Sequence, residues 1–377
     1  MLATGVERRG TGAASRADTD TDAAERMTDV GERATSLVIQ TSFLGDLILT
    51  TPLIAELAGR GPVDVVVTPG AAPLLANNPS IRDVIVYDKR GDDRGLFGLW
   101  GSSRKLRSRA GTEGGQEKRG STVAYLAQGS VRSAMLAILA GVSERVGFST
   151  SAGRHLYTRI VAFRDDQHHA ERVWRLSATS PDEQPTAAQL RPRIFPGDQE
   201  VSAVERMLAA SVGSPTMIGL APGSAWGTKR WPQYAALAAR LAPRARIAII
   251  GGLPDTPAAQ AITAAIHPHR PVDSVGKLSL LGSAELIGRC SALVTNDSAP
   301  LHLASAMGTP TLALFGPTVP EFGFGPLAPK RAIAGVKGLP CRPCSRHGPQ
   351  QCPLTHWRCM RDLGVDDVVR LLEQVMT

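Results

Sequence analysis

The sequence lacks any apolar run long enough to span a bilayer as a helix, so no transmembrane segment is expected. Residues 1–34 are polar and lack the apolar core of a signal peptide. Their composition is typical of a disordered tail, and Met27 is an alternative start of the chain. These absences predict a cytoplasmic protein and leave open a peripheral contact at the inner face of the cytoplasmic membrane.

Aromatic residues are scarce, at 5% of the chain, and the first half does not interleave them with its basic residues. No nucleic-acid partner is therefore expected. The net charge of +8 still favours an anionic partner, such as anionic lipid or a phosphorylated sugar. Much of the basic excess lies in residues 89–120, a Gly-, Ser- and Arg-rich stretch that we predict to be a mobile loop. Apolar side chains in that stretch could reach a membrane interface: Leu96, Phe97, Leu99 and Trp100.

The chain has only five cysteines, and a cytoplasmic location argues against disulfides. Four of them are clustered near the C-terminus: Cys341, Cys344, Cys352 and Cys359. Such clustering is typical of a metal site, although a second C-x-x-C pair is missing. Structural zinc is one interpretation of the cluster, and reduced thiols in an ordinary loop are the other. A catalytic zinc ion is not expected.

Strand-like and helix-like stretches alternate through two successive halves of the chain, which is typical of parallel, doubly wound sheets. We predict an N-terminal Rossmann-like domain over residues 35–185, a linker over 186–200 and a C-terminal Rossmann-like domain over 201–362. A terminal helix follows over 363–377. The length of 377 residues allows each domain its own core. The active site is expected in the cleft between the domains.

The most informative stretch is 292–318, which has the pattern of a buried strand, a polar turn, a short helix and a second buried strand. Asn296, Asp297 and Ser298 are typical helix-capping residues, and Gly308 is typical of a helix end. The start of this helix should lie at the sheet edge where open α/β sheets bind ligands. Because a helix N-terminus there attracts anions, the stretch predicts a phosphate or nucleotide site.

Asp46 follows the first predicted strand and stands where the first long helix begins. At this edge of the sheet it could accept a proton from an acceptor hydroxyl, as a general base does. The alternative is an N-cap aspartate, which satisfies free backbone N–H groups and has no chemical role.

A second strand-to-helix turn, over residues 221–232, combines small residues with hydroxyl and basic side chains. Ser224 and Thr228 would allow close contact with phosphate oxygens, and Lys229 would supply a positive charge. A basic surface turn anchored by Trp226 and Trp231 is the alternative.

Two residues of the 292–318 stretch also have competing interpretations. Asp297 could grip sugar hydroxyls, because a carboxylate accepts from two neighbouring hydroxyl groups, or it could only cap the helix. His302 could line the same site or be a packed core histidine.

Together these motifs resemble the ADP-heptose:lipopolysaccharide heptosyltransferases of glycosyltransferase family 9, and most nearly the heptosyltransferase II type. The similarity covers most of residues 37–375. It is carried by Gly45-Asp46 with Thr50-Thr51-Pro52, Pro222-Gly223-Ser224, Lys229-Arg230-Trp231-Pro232, Thr295-Asn296-Asp297-Ser298 with His302, Gly316-Pro317-Thr318, and the Cys341 to Cys359 stretch with Met360-Arg361-Asp362.

The resemblance implies a GT-B fold, in which two Rossmann-like doubly wound domains face a central cleft. It implies that Asp46 is the catalytic base, that Lys229 contacts the donor phosphates and that Asp297 holds heptose hydroxyls. Ser298, Ala299 and His302 would line the donor site. The expected partners are an ADP-sugar donor and a lipid-linked or lipopolysaccharide-core acceptor.

A single displacement at the anomeric carbon would invert its configuration. Positive helix ends and Lys229 could offset the leaving group's charge, so no cofactor or catalytic metal is expected. The alternatives are a nucleotide-sugar epimerase or hydrolase on the same fold, a transferase for another sugar, and a non-enzymatic, metal-binding interaction module.

Overall fold

The computed structural model describes residues 34–110, 122–211 and 214–377, with only the backbone of residues 108–110. The predicted disordered tail therefore lies outside the described residues except for Ala34. Residues 111–120 of the predicted mobile loop also lie outside them.

The first sheet has six parallel strands in the order β3-β2-β1-β4-β5-β6. Its central strands are runs of Val, Ile and Leu buried on both faces, as a parallel sheet covered by helices requires. The strands are β1 (Thr35–Ile39), β2 (Val63–Val67), β3 (Asp83–Val86), β4 (Thr122–Leu126), β5 (Glu144–Phe148) and β6 (Arg159–Val161).

The second sheet repeats this arrangement, with six parallel strands in the order β12-β11-β10-β7-β8-β9. The strands are β7 (Met217–Ala221), β8 (Arg246–Ile249), β9 (Val272–Asp273), β10 (Ala292–Asn296), β11 (Thr311–Leu314) and β12 (Arg331–Ala334). The predicted α/β architecture of two doubly wound sheets is confirmed. The exact domain limits stay predictions.

Helices connect the strands and cover both sheets. They are α1 (Leu44–Ala58), α2 (Gly95–Ala110), α3 (Val131–Leu139), α4 (His169–Trp174), α5 (Ala187–Leu190), α6 (Asp198–Ala209), α7 (Tyr234–Leu241), α8 (Thr256–Ala265), α9 (Leu280–Gly288), α10 (Ala299–Met307), α11 (Arg358–Arg361) and α12 (Val365–Met376). No helix among the described residues combines the length and apolar character needed to cross a membrane.

The prediction of a mobile loop over residues 89–120 is wrong for its central part, which forms helix α2. The buried positions Leu99, Ser102, Ser103 and Leu106 recur at helical spacing, and both leucines pack into the core of the first sheet. The abundant Gly, Ser and Arg residues between them hide this pattern in the sequence. The predicted linker also contains structure, since α5 lies within residues 186–200 and α6 begins there.

The two sheets meet along α1, which packs against α4 on one side and against α10 of the second half on the other. One buried apolar cluster contains Leu47 and Leu53 of α1 together with Leu303 of α10. Each half also buries a cluster of its own, as the sequence suggested, and the shared cluster is additional to these two. This shared core places the turns that follow β1, β7 and β10 around one cleft.

Candidate active site

A cavity of about 660 Å³ lies in this cleft. Its walls include the segments that follow β1, β7, β8 and β10, so it occupies the position predicted for open α/β sheets. Six of the predicted donor-site residues line it, together with the predicted base Asp46: Ser224, Lys229, Asp297, Ser298, Ala299 and His302.

Asp46 is the third residue of α1 rather than its N-cap, which is Phe43. Its Oδ2 accepts hydrogen bonds from Ser42 Oγ (2.7 Å) and from the backbone N–H of Phe43 (3.3 Å). The carboxylate therefore does help to start the helix, although not from the predicted N-cap position. At the same time it lines the cavity with 18% of its side chain exposed, so capping and ligand contact are compatible.

Gly45 brings the starts of α1 and α10 together. A Cβ atom added at Gly45 would lie 2.8 Å from His302 Cδ2, which is shorter than any normal contact. His302 is buried, and burial lowers the pKa of its imidazole to about 4. A neutral His302 therefore packs on the backbone beside the predicted base.

Lys229 and Asp297 form a buried ion pair, with 2.5 Å between Lys229 Nζ and Asp297 Oδ2. The same oxygen accepts a hydrogen bond from Thr318 Oγ1 at 2.7 Å. The sequence assigned the lysine to phosphates and the aspartate to sugar hydroxyls, as separate roles. The structure instead joins them, so that Asp297 fixes the position of the Lys229 ammonium group.

Helix α10 begins at the cavity with Ser298 as its N-cap, and no side chain caps its first turn. The expectation that Asn296, Asp297 and Ser298 cap this helix is wrong in this respect. Pro300 has no N–H and the Leu301 N–H donates to Ser298 O (3.0 Å), so this turn offers an anion in the cavity the N–H of Ala299 and the positive end of the helix dipole. The predicted end of the helix is confirmed, because Gly308 adopts a left-handed conformation (φ 75°) and its N–H bonds to Ala304 O.

Asn296, the last residue of β10, connects the turn after that strand to the turn over residues 221–232. Its Nδ2 donates to Pro222 O (2.8 Å), and its Oδ1 accepts from the backbone N–H of Trp231 (3.2 Å). Thr228, a predicted donor contact, is instead buried outside the cavity wall, where its hydroxyl donates to Pro349 O. The sequence could not show this, because the carbonyl partner comes from a distant segment.

The cysteine-rich segment braces the donor turn from the outside. Gln350 bonds to both Gly227 N and Ala225 O, and Trp357 Nε1 donates to Thr228 O. His347 stacks on Trp226 and also lies 5.8 Å from the Phe43 ring across the cleft.

The cysteines themselves are not arranged as a preformed metal site. Among the described residues, no three His, Cys, Asp or Glu side chains are grouped so that they could hold a metal ion. Cys341 Sγ and His356 Nε2 approach to 3.9 Å, and burial raises the pKa of Cys359 to about 11. The site predicted at Cys341, Cys344, Cys352 and Cys359 does not fit this geometry and stays a prediction.

Sequence reasoning missed several residues at the cavity. Arg230, Phe324, Arg346 and His347 line it, and His169 Nε2 lies 3.7 Å from Asp46 Oδ1. Only Arg230 stands inside a turn that the sequence singled out. Arg346 and His347 come from the cysteine-rich stretch, which the sequence marked only as a candidate metal site, and the segments of Phe324 and His169 show no ligand signal.

Comparison with known proteins identifies the family of this chain. Residues 117–357 match the model of glycosyltransferase family 9 (heptosyltransferase). The chain belongs to glycosyltransferase family 9. It is therefore a glycosyltransferase, and this membership decides against the epimerase, hydrolase and interaction-module alternatives. The matched range includes Lys229 and Asp297 but not Asp46.

Relatives of known activity are similar over most of their length. Lipopolysaccharide heptosyltransferase 2 of Escherichia coli is 30% identical over 303 residues, which is 76% of this chain and 84% of that protein. Lipooligosaccharide heptosyltransferase 2 of Haemophilus influenzae is 29% identical over 79% of this chain and 87% of that protein.

Solved structures support the fold assignment. The family 9 glycosyl transferase of Veillonella parvula aligns with a TM-score of 0.76 at 21% identity, covering 91% of this chain and 97% of that one. E. coli ADP-heptose lipopolysaccharide heptosyltransferase II aligns with a TM-score of 0.70 at 24% identity, covering 91% and 98%. The predicted GT-B architecture is confirmed.

Replacing Gly45 with alanine should lower turnover by about tenfold or more, because the new methyl group would displace His302 or the start of α1, which carries Asp46. Steady-state kinetics would measure this. Gly101→Ala in α2 is the matched control, since a Cβ there meets no atom of the described residues within 4 Å. Wild-type turnover in Gly45→Ala would contradict the proposed role of this close approach.

Proposed function

We propose that this chain transfers a heptose from an ADP-activated donor to the lipopolysaccharide inner core or a related lipid-linked glycan. One observation carries the proposal: Asp46 from the first half and the Lys229–Asp297 pair from the second line the same cavity. A base and an anion site on opposite walls are what a displacement at an anomeric carbon requires. The relatives named above are heptosyltransferases, which supports the choice of sugar.

In the proposed reaction, the Asp46 carboxylate accepts the proton of the acceptor hydroxyl. The hydroxyl oxygen then forms a bond to the anomeric carbon while the bond from that carbon to the diphosphate oxygen breaks. The electron pair leaves with ADP. Because the nucleophile enters opposite the leaving group in a single step, the configuration at the anomeric carbon is inverted.

The second half supplies the positive charge for the leaving diphosphate. Lys229, Ser298 and Ala299 line the cavity, so the lysine charge and the positive end of the α10 dipole act on the same space. Beyond Gly251 and Gly252, the cavity is lined by apolar side chains that suit the faces of a nucleobase. These are Ile250, Pro254, Leu278 and Leu280.

Asp46→Asn should reduce transfer by at least about a hundredfold, because the amide cannot accept the proton. ADP binding should stay unchanged, because the donor phosphates are contacted by the other half. Turnover can be followed by ADP release, binding by calorimetry and product configuration by NMR, which should show inversion. The control is Asp182→Asn at an exposed aspartate far along the chain. Full activity of Asp46→Asn would remove the residue from its role as base.

We also propose that transfer needs no metal ion, because Lys229 and the α10 N-terminus can themselves offset the charge of the leaving diphosphate. Prolonged treatment with a strong chelator should leave ADP release unchanged, and loss of activity that added Mg²⁺ or Mn²⁺ restores would contradict this. Elemental analysis of the same sample tests the cysteine cluster separately. About one zinc per chain would support the structural zinc prediction, whereas zinc-free, fully active protein would reject it.

We also propose that the protein contacts the inner face of the cytoplasmic membrane through α2, because its proposed acceptor is lipid-linked. Leu96, Phe97 and Trp100 are 83%, 91% and 54% exposed at the start of this helix. Arg104 continues the same stripe, with its guanidinium 4.9 Å from the Trp100 ring. Apolar side chains followed by a basic one fit an anionic bilayer surface. Just before α2, Lys89 Nζ bonds to Thr41 O (2.6 Å) in the turn that leads to Asp46.

Replacing Leu96, Phe97 and Trp100 together with serine should weaken binding to phosphatidylglycerol-containing vesicles by about tenfold or more, because each side chain loses its apolar burial in lipid. Cosedimentation measures the binding, and turnover on a water-soluble acceptor fragment should not change. Leu253→Ser, at a residue 73% exposed on the second half, is the matched control. Unchanged vesicle binding by the triple variant would exclude α2 as the contact.

A further inference from the structure

His169 is the first residue of α4 and stands directly beside the proposed base. Its Nε2 lies 3.7 Å from Asp46 Oδ1, and the side chain is 13% exposed. The distance is too long for a hydrogen bond. Asp46 Oδ2, by contrast, is already occupied by Ser42 Oγ and the Phe43 N–H. The imidazole therefore faces the carboxylate oxygen that these helix-start contacts do not use.

The ring of His169 is held in place from both halves of the protein. Its backbone N–H donates to Gly323 O (2.7 Å), and the ring stacks on Phe324 with 4.9 Å between centroids and 23° between planes. The preceding His168 places its Nε2 3.0 Å from Gly325 O. Arg172, one turn further along α4, donates to Phe322 O (2.8 Å). This anchoring leaves the ring little freedom to turn away from Asp46.

The Nε2 atom is buried and has no hydrogen-bond partner among the residues that the structure describes. A buried polar atom without a partner is costly, so its retention needs an explanation. Burial also lowers the pKa of the His169 imidazole, while the negative charge of Asp46 opposes this shift and Arg172 adds to it. The ring is therefore mainly neutral at neutral pH and can carry a hydrogen on Nε2 without a positive charge.

We propose that His169 is a positioning residue for Asp46, whose Nε2–H donates a hydrogen bond to Oδ1 once substrates occupy the cavity. This proposal rests on the proposed role of Asp46 as the base. The bond fixes the plane of the carboxylate while a remaining lone pair accepts the proton of the acceptor hydroxyl. Only a small approach is needed, and such bonds commonly shorten when substrate binds.

Two substitutions separate this role from simple packing. His169→Gln places an amide N–H near the position of Nε2 but loses the aromatic ring, whereas His169→Phe keeps an aromatic ring to stack on Phe324 and loses the donor. If His169 positions the base, kcat should fall about tenfold or more in the phenylalanine variant and recover substantially in the glutamine variant. KM for the donor should change little in either, because the donor contacts lie in the other half.

A purely structural role predicts the opposite order, with the phenylalanine variant near wild type and the glutamine variant impaired. That result would overturn the proposal, as would equal losses in kcat and donor affinity. Thermal unfolding of both variants shows whether they fold. Asp46→Asn, assayed alongside, separates a failure of the base assignment from a failure of the positioning role of His169. If it retains turnover, the base assignment fails, whereas an inactive Asp46→Asn with a fully active His169→Phe rejects only the role of His169.

Discussion

The backbone of Gly45 and the ring of His302 meet where the starts of α1 and α10 face each other across the cleft. This contact is possible only because residue 45 has no side chain, since a methyl group would lie 2.8 Å from His302 Cδ2. It fixes how closely the first half can bring Asp46 to the second half. The position of the base relative to the Lys229–Asp297 pair therefore depends on a steric condition at one residue, rather than on any direct bond between them.

The other wall of the cavity carries the buried Lys229–Asp297 ion pair. A buried ion pair is a poor source of stability, because both ions lose their hydration. Asp297 and Thr318 hold one conformation of Lys229, so in the proposed reaction the ammonium group would need no reorganisation when the diphosphate binds. Because Asp297 already compensates part of the lysine charge, the start of α10 would supply further positive potential in that reaction.

What the sequence revealed about this site was local. Asp297 directly follows β10, Asp46 stands in the first turn of the helix after β1, and Lys229 stands in the turn after β7. The carboxyl ends of parallel strands share one edge, so the convergence of these three residues was predictable. His169, Phe324 and His347 reach the cleft through tertiary contacts between distant segments, which no periodicity or turn pattern encodes. Helix α2 was missed for another reason, because its narrow buried stripe is interrupted by Gly, Ser and Arg. Thr228 was assigned to the donor although a carbonyl group more than a hundred residues away holds its hydroxyl.

The shared core also limits how the site can work. A GT-B enzyme whose halves share no core can open by a hinge, but here Leu47, Leu53 and Leu303 belong to a buried cluster to which both halves contribute. Wide opening would expose that cluster to water at a cost of about 25 cal/mol for each Å² of apolar surface. The anchoring of α4 to residues 322–325 opposes such a motion as well. Bringing His169 Nε2 from 3.7 Å to hydrogen-bond distance of Asp46, about 2.9 Å, requires a shift of less than about 1 Å. Local adjustment of side chains and turns is therefore sufficient to complete the site, and the cleft is largely preorganised for its donor.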